Sequence, residues 1–185
     1  EDVTIPADGL NIRWPDSQLE QEVRLHKYKL AAAQAYARSN QIDRIITQGD
    51  PDTLGIVAAG KSYLDARQAL ADLDLDETDL MRLGVRLYKP ALVWPLETTS
   101  LMEFASGLDK IIVVEEKRGL IEDQIKEILF NKQDRPALVV GKKDETGETL
   151  FPSTYQLTSE GIALALAKRI GELGDKEKLT SQAQL

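Results

Sequence analysis

The chain has 185 residues, 42% hydrophobic and 29% charged, and its 31 carboxylates against 23 lysines and arginines give a net charge of −8. That is enough for one domain with a real core, and the acidic balance argues against nucleic acid or anionic membrane as a partner, since both demand a basic face. There is no cysteine and only one histidine, His26, so disulfides, thiolate nucleophiles, cysteine-held iron–sulfur clusters and multi-histidine metal sites are excluded. No apolar run approaches the roughly 20 residues needed to cross a bilayer, and no signal peptide is visible. A cytoplasmic protein, or a piece cut from one, is expected.

The opening TIPADGLNIRWPD reads as irregular chain. Ser17-Gln18-Leu19-Glu20 is a capping box, and behind it Leu19, Val23, His26, Leu30, Ala33 and Ala37 recur at helical spacing. A long amphipathic helix to about Asn40 is expected, with His26 on its apolar stripe as a core or boundary histidine. Five short strands follow, at Ile45–Thr47, Leu54–Ala59, Val85–Tyr88, Ile111–Val114 and Ala137–Val140. Between them lie a helix capped by Ser62 with Tyr63, Ala66, Leu70 and Leu73 on one face, one marked by Leu101, Phe104, Ala105 and Leu108, and one over Leu120–Phe130. The segment KKDETGETL is a hairpin or loop, and Ser159 opens a last helix through Ile170. β-branched strands alternating with helices predict an α/β fold with a largely parallel sheet covered on both faces. The organisation expected is an N-terminal linker and long helix over 1–40, an α/β domain over 41–172, and a mobile polar tail over 173–185.

Two stretches carry possible chemistry. GIVAAGKS, Gly55 to Ser62, spells the phosphate loop G-x-x-x-x-G-K-S. Such a loop needs a strand before its first glycine, whereas here a turn, QGDPDTL, precedes it and the strand is IVAA itself. Gly60-Lys61-Ser62 then reads as a strand-to-helix turn, with glycine for the bend, an exposed lysine and a serine cap. LDKIIVVEE ends an apolar strand in Glu115 and Glu116. These carboxylates are candidates for a metal site or a base, or for pairing with Lys117 and Arg118 or with another domain. They should emerge, solvated, at the carboxyl edge of the sheet, where α/β folds place their sites. The loop from Lys89, with Trp94 and Pro95, emerges at the same edge if the two strands are parallel. Trp94-Pro95 is either a binding patch or an aromatic packing its own loop down.

GLNIRWPD, LGIVAAGKSYLDARQAL, GVRLYKPALVWPLE and IIVVEEKRGLIEDQIKEILFN, in this order and spacing, resemble the long fused bacterial form of indolepyruvate:ferredoxin oxidoreductase, over about residues 3 to 170. The resemblance implies the middle domain of that enzyme, similar to the carboxy-terminal domain of transketolase. It further implies a three-layer α/β/α sandwich whose five-strand mixed sheet has the order 1-3-2-4-5 with strand 1 antiparallel. In the complete family enzyme, thiamine diphosphate and magnesium drive oxidative decarboxylation of aryl 2-oxo acids with coenzyme A, and iron–sulfur clusters pass the electrons to ferredoxin. The thiamine motif begins Gly-Asp-Gly and ends in asparagine. This chain offers Gly49-Asp50-Pro51, and no asparagine between Asn40 and Asn131. The resemblance therefore implies a non-catalytic assembly domain, inactive alone, with no cofactor or metal residues of its own. Lys89, Trp94, Pro95, Glu115, Glu116 and Arg118 are its candidate interdomain contacts. The competing readings are a nucleotide-binding protein using Gly55–Ser62 and a free-standing interaction module.

Overall fold

The structure is a computed structural model and describes residues 3–11, 14 and 16–174. Most of the expected polar tail, 175–185, lies outside the described residues.

Five strands form one sheet: β1 Arg44–Thr47, β2 Leu54–Ala58, β3 Val85–Lys89, β4 Lys110–Val114 and β5 Leu138–Val140. Their order is β1-β3-β2-β4-β5, with β1 antiparallel to β3 and every other pair parallel. This is the order and the antiparallel edge implied by the resemblance. β2 and β4 are buried along nearly their whole length because helices cover both faces. Side chains alternate between the faces with the strand period of two. Leu54, Ile56, Ile112 and Val114 pack under helices α3 (Gly60–Asp72), α4 (Glu77–Arg82) and α7 (Ser159–Ile170). Val57, Tyr88, Ile111 and Val113 pack under α5 (Thr98–Ala105) and α6 (Leu120–Leu129).

Helix α4 has no counterpart in the sequence reading. Its six residues are too few to display a helical period, although the Asp76–Asp79 capping box was there to be read. Helix α3 begins three residues earlier than expected. Ala59 stands at its N-cap and Ser62 lies inside the first turn, so the expected serine cap is absent. The bend itself is made by Gly60, at φ +52°, a conformation that costs a residue with a Cβ about 1 kcal/mol or more.

The long N-terminal helix exists but is broken in phase. The Ser17–Glu20 capping box opens α1 (Gln18–Arg24), a π-helical turn spans Leu25–Lys29, and α2 runs from Leu30 to Ser39. A π turn adds a residue to the turn and rotates everything beyond it about the axis, so the stripe read at uniform spacing does not stay on one side. Only Ala37 of the six stripe residues is buried. Leu19 and Val23 are exposed, and so is His26, which is neither a core nor a boundary residue. The helix is held to the body through its second half. Gln34 donates to the Leu96 carbonyl at 2.6 Å, and Arg38 pairs with the buried Glu97 at 2.7 Å. Glu97 also caps α5, accepting from the Thr99 and Ser100 N–H groups and the Ser100 hydroxyl. Burial alone would raise its pKa, but these four donors together outweigh burial and hold it below the usual carboxylate range.

The amino edge of the parallel strands is closed by a charge. Arg86, between Val85 and Leu87 of β3, is buried and donates from Nε to Asp52 at 2.9 Å and from Nη1 to the carbonyls of Phe104 (2.6 Å) and Ser106 (2.9 Å). Asp52 in turn accepts twice from the Gly49 N–H. Opposite Arg86 in the β2–β3 register stands Gly55. A Cβ on that glycine would come within 2.6 Å of Phe104 and Leu108, so the missing side chain is what lets α5 lie on the sheet with Phe104 stacked on Tyr88 at 4.8 Å. Removing one partner of a buried pair leaves the other charge desolvated, at a cost of about 3–5 kcal/mol. Arg86→Met should therefore lower stability by about that amount in urea unfolding. Adding Asp52→Asn to it should cost little more, because the second change removes the stranded charge.

Candidate functional site

Because β2, β3 and β4 are parallel, their carboxyl ends deliver three segments to one edge: Ala59 to Ser62, Lys89 to Glu97 and Glu115 to Gly119. They enclose an open cleft of about 260 Å³ lined by Ala59, Gly60 and Ser62, by Val93, and by Glu115 with Leu120. The loop over the cleft is pinned by one side chain. Gln124 of α6 donates to the Val93 carbonyl and accepts from the Leu96 N–H, both at 3.0 Å. From the far side, Asp43 accepts from the N–H groups of Ala91 and Leu92 and from the Tyr88 hydroxyl. The loop is therefore a fixed platform that holds Val93 and Trp94 toward solvent, 40% and 49% exposed. Across the cleft, Lys117 sits in the left-handed region at φ +63° and donates to the carbonyl of Tyr155, itself at φ +61° with its ring 87% exposed.

Sequence reasoning brings the right segments together but misplaces one of the two acidic residues. Glu115 is not solvated. It is buried, and its carboxylate caps α6 by accepting from the N–H groups of Ile121 (2.8 Å) and Glu122 (3.0 Å), where no other side chain caps the helix. The Lys142 ammonium donates to the Glu115 backbone carbonyl, and Glu122, also buried, accepts from the Lys142 N–H at 2.7 Å and pairs with Lys126 at 2.5 Å. Burial is the largest influence on Glu115 and pushes its pKa up, against the two backbone donors and Lys142. Burial likewise pushes the Lys142 amine down, against Glu115 and Glu122. Of the remaining candidates, Glu116 is half-buried beside Lys117 at 3.9 Å. Arg118 is exposed, Pro95 half-buried, and Lys89 lies half-buried over the Tyr63 ring at 4.7 Å. Tyr155 and Lys142 lie outside every sequence motif and Gln124 reads in the sequence only as part of a helix, since each acts here through a contact between segments far apart in the chain.

The phosphate-loop spelling is accounted for by this geometry. Gly55 to Ala58 are strand β2, fully buried, so they form no exposed cradle, and Lys61 pairs with Asp65 one helical turn on at 2.5 Å. The thiamine motif fares no better. The buried carboxylate of the Gly49–Asp52 turn already belongs to Arg86 and the Gly49 N–H, so the residues present do not fit a magnesium diphosphate. A chain without cysteine does not fit a cysteine-held iron–sulfur cluster either. Among the described residues no group of three or more His, Asp or Glu side chains is placed to hold a metal ion. No helix among them is long and apolar enough to cross a membrane.

The sequence profile of the indolepyruvate oxidoreductase domain matches residues 44–184. The chain belongs to that family. The subunit IorA of indolepyruvate oxidoreductase from Thermococcus kodakarensis is 30% identical over 118 residues, covering 64% of this chain and 16% of that protein. Its namesake from Methanothermobacter marburgensis is 24% identical over 143 residues, covering 77% of this chain and 21% of the other. The chain thus spans between 16% and 21% of the length of these relatives. Similar solved structures include a split-gene transketolase, described as an inactive β4 tetramer, with a TM-score of 0.47 at 22% identity over 69% of this chain and 41% of that one. Another is the 2-oxoglutarate:ferredoxin oxidoreductase of Magnetococcus marinus, with 2-oxoglutarate, coenzyme A and succinyl-CoA bound. Its TM-score is 0.44 at 18% identity, over 83% of this chain and 24% of that one.

The raised pKa of Glu115 fixes the direction of a pH effect in this domain of the family. A carboxylate whose folded pKa lies above its unfolded value stabilises fully below the ordinary range, and that contribution is lost as pH rises through the folded value. Glu115→Gln should therefore gain on the unaltered chain as pH climbs from about 4 to neutrality. Glu115→Ala, which leaves two α6 N–H groups without an acceptor, should be less stable than Glu115→Gln by about 1–3 kcal/mol at every pH. Urea unfolding of the three proteins across that range separates the two effects.

Proposed function

We propose that this chain is a non-catalytic assembly domain of a thiamine-diphosphate-dependent indolepyruvate (aryl 2-oxoacid):ferredoxin oxidoreductase. The whole enzyme would convert 2-oxo acids to acyl-CoA and carbon dioxide with electrons passing to ferredoxin, while thiamine diphosphate, Mg2+ and the iron–sulfur clusters are held by its other parts. Residues 1–40 act as an arm leading into the domain of 41–172, and 173–185 lead on to the next. The domain's task is to dock the carboxyl edge of its sheet on the thiamine-binding domains.

The observation that carries this reading is the clustering of exposed apolar groups at one edge. Val93 and Leu120 line the Gly60 cleft, exposed Trp94 follows Val93 in the same loop, and exposed Tyr155 is tied by its carbonyl to Lys117 of the β4 edge, while the opposite edge of the same strands is closed by Arg86. Rigidly held aromatics on a concave, partly apolar surface are the usual anchors of protein interfaces, each worth about 2 kcal/mol or more once buried. Among the interface candidates, Glu115 supports α6 from within the fold, whereas Lys89, Trp94, Pro95, Glu116 and Arg118 lie at the docking edge.

In the full-length enzyme, Trp94→Ala combined with Tyr155→Ala should impair assembly and oxidative decarboxylation. In the 185-residue chain, the same exposed positions should change stability by no more than about 0.5 kcal/mol. Normal assembly and turnover of the doubly substituted enzyme would refute the docking role.

A further inference from the structure

The charge at this edge has the opposite sign to the charge of the chain. The chain as a whole is acidic, at −8. At the carboxyl edge, one of the two carboxylates that the sequence puts forward, Glu115, is consumed internally, and so is Glu122. Glu115 is buried under the start of α6, and Glu122 is buried between Lys126 and the Lys142 backbone. What reaches solvent around the cleft is, among the described residues, cationic by a small excess: Lys61, the half-buried Lys89, Lys117 and Arg118, offset by Asp65, Glu116 and the exposed Asp123 in the first turn of α6. Two of the four cations have no carboxylate partner among the described residues. Lys89 rests on the Tyr63 ring, and Arg118 makes no side-chain ion pair. A chain under net negative self-repulsion that gathers unpaired cations around its exposed aromatics has a surface complementary to negative charge.

We infer that the carboxyl edge, with Trp94 and Tyr155 at its centre and Lys89 and Arg118 on its rim, docks on an acidic protein surface of the neighbouring domains, with an apolar side chain of that surface entering the Gly60 cleft. The inference rests on the docking role proposed above and adds the chemistry of the partner. The apolar centre supplies contact area, and the cations fix orientation and reject basic surfaces. The cleft, at about 260 Å³, is of the size of one or two side chains rather than a cofactor.

Amide hydrogen exchange of the peptide spanning 89–97 tests this without depending on turnover, with protection read as the excess in the full-length enzyme over the 185-residue chain, where Asp43 and Gln124 already hold the Ala91, Leu92 and Leu96 amides. At about 0.05 M KCl the peptide should be protected, and protection should fall as salt rises to about 0.5 M, where charges on an exposed rim are screened. Lys89→Glu with Arg118→Glu should lower protection about tenfold at low salt and remove most of its salt dependence. Glu116→Lys should raise protection at low salt, unlike any substitution that merely loosens the fold. If Trp94→Asp abolishes protection while salt and the charge reversals leave it unchanged, the docking role stands and the acidic partner is wrong. If the peptide exchanges freely in the unaltered enzyme at every salt concentration, the docking role fails and this inference with it. Melting temperatures of the variants, unchanged if the rim residues are solvated, exclude unfolding as the cause.

Discussion

A single guanidinium sets the geometry from which the rest of the domain follows. Arg86 enters the sheet from the buried strand β3, holds Asp52 just before β2, and takes the last carbonyls of α5. One cation thereby fixes where β2 begins, how deeply α5 sits, and which end of the sheet is shut. Its position at a helix carboxyl terminus is electrostatically favourable, and its planar fork serves acceptors from two segments as lysine's single ammonium cannot. With the amino edge filled in this way, the loops at the carboxyl edge are the ones left to meet another surface.

The two edges use charge in contrasting ways. At the amino edge a cation accepts burial and is neutralised by a carboxylate and two carbonyls. At the carboxyl edge an anion, Glu115, accepts burial under the first turn of α6 with the half-buried Lys142 against its carbonyl, while Lys117 and Arg118 stay outside. Each buried charge ends a helix at the terminus whose dipole suits it. Orienting the helices against the sheet with internal charges leaves a surface whose net sign is unrelated to that of the whole chain.

The strands were legible in the sequence because they are buried on both faces, so Ile56-Val57 and Ile111 to Val114 read as continuous apolar runs whatever their neighbours. Their spacing with helices led to a parallel sheet. The order and the antiparallel β1 were not legible in the residues and came from the resemblance alone. Three features escaped for distinct physical reasons. Helix α4 is shorter than two turns and leaves no period. The N-terminal helix carries a π turn, which periodicity assumes away, so Leu19, Val23 and His26 were assigned to a face that nothing in the described chain covers. The role of Glu115 depends on α6 folding back onto β4, and a carboxylate after a strand looks the same in sequence whether it faces solvent or a helix start. A better hint was available in Arg86, since an arginine inside Val-Arg-Leu-Tyr, facing a glycine, is hard to explain except by an internal partner.

The N-terminal helix has a consequence of a different kind, in how the molecule opens. Its second half is tied down by Gln34, Arg38 and the buried Ala37. Its first half is tied to the short segment before it, through Arg24 with Asp8, Asp16 and the Gly9 carbonyl and through Gln21 with the Asp16 carbonyl. No residue of 18–24 is fully buried, and the largely covered Arg24 side chain lies against Asp8, Gly9 and Asp16, so exposing this segment requires no separation of the sheet layers. The fold thus contains two cooperative units of unequal depth. The sandwich opens only with global unfolding, whereas the helical turns before the π turn require less buried surface to be given up.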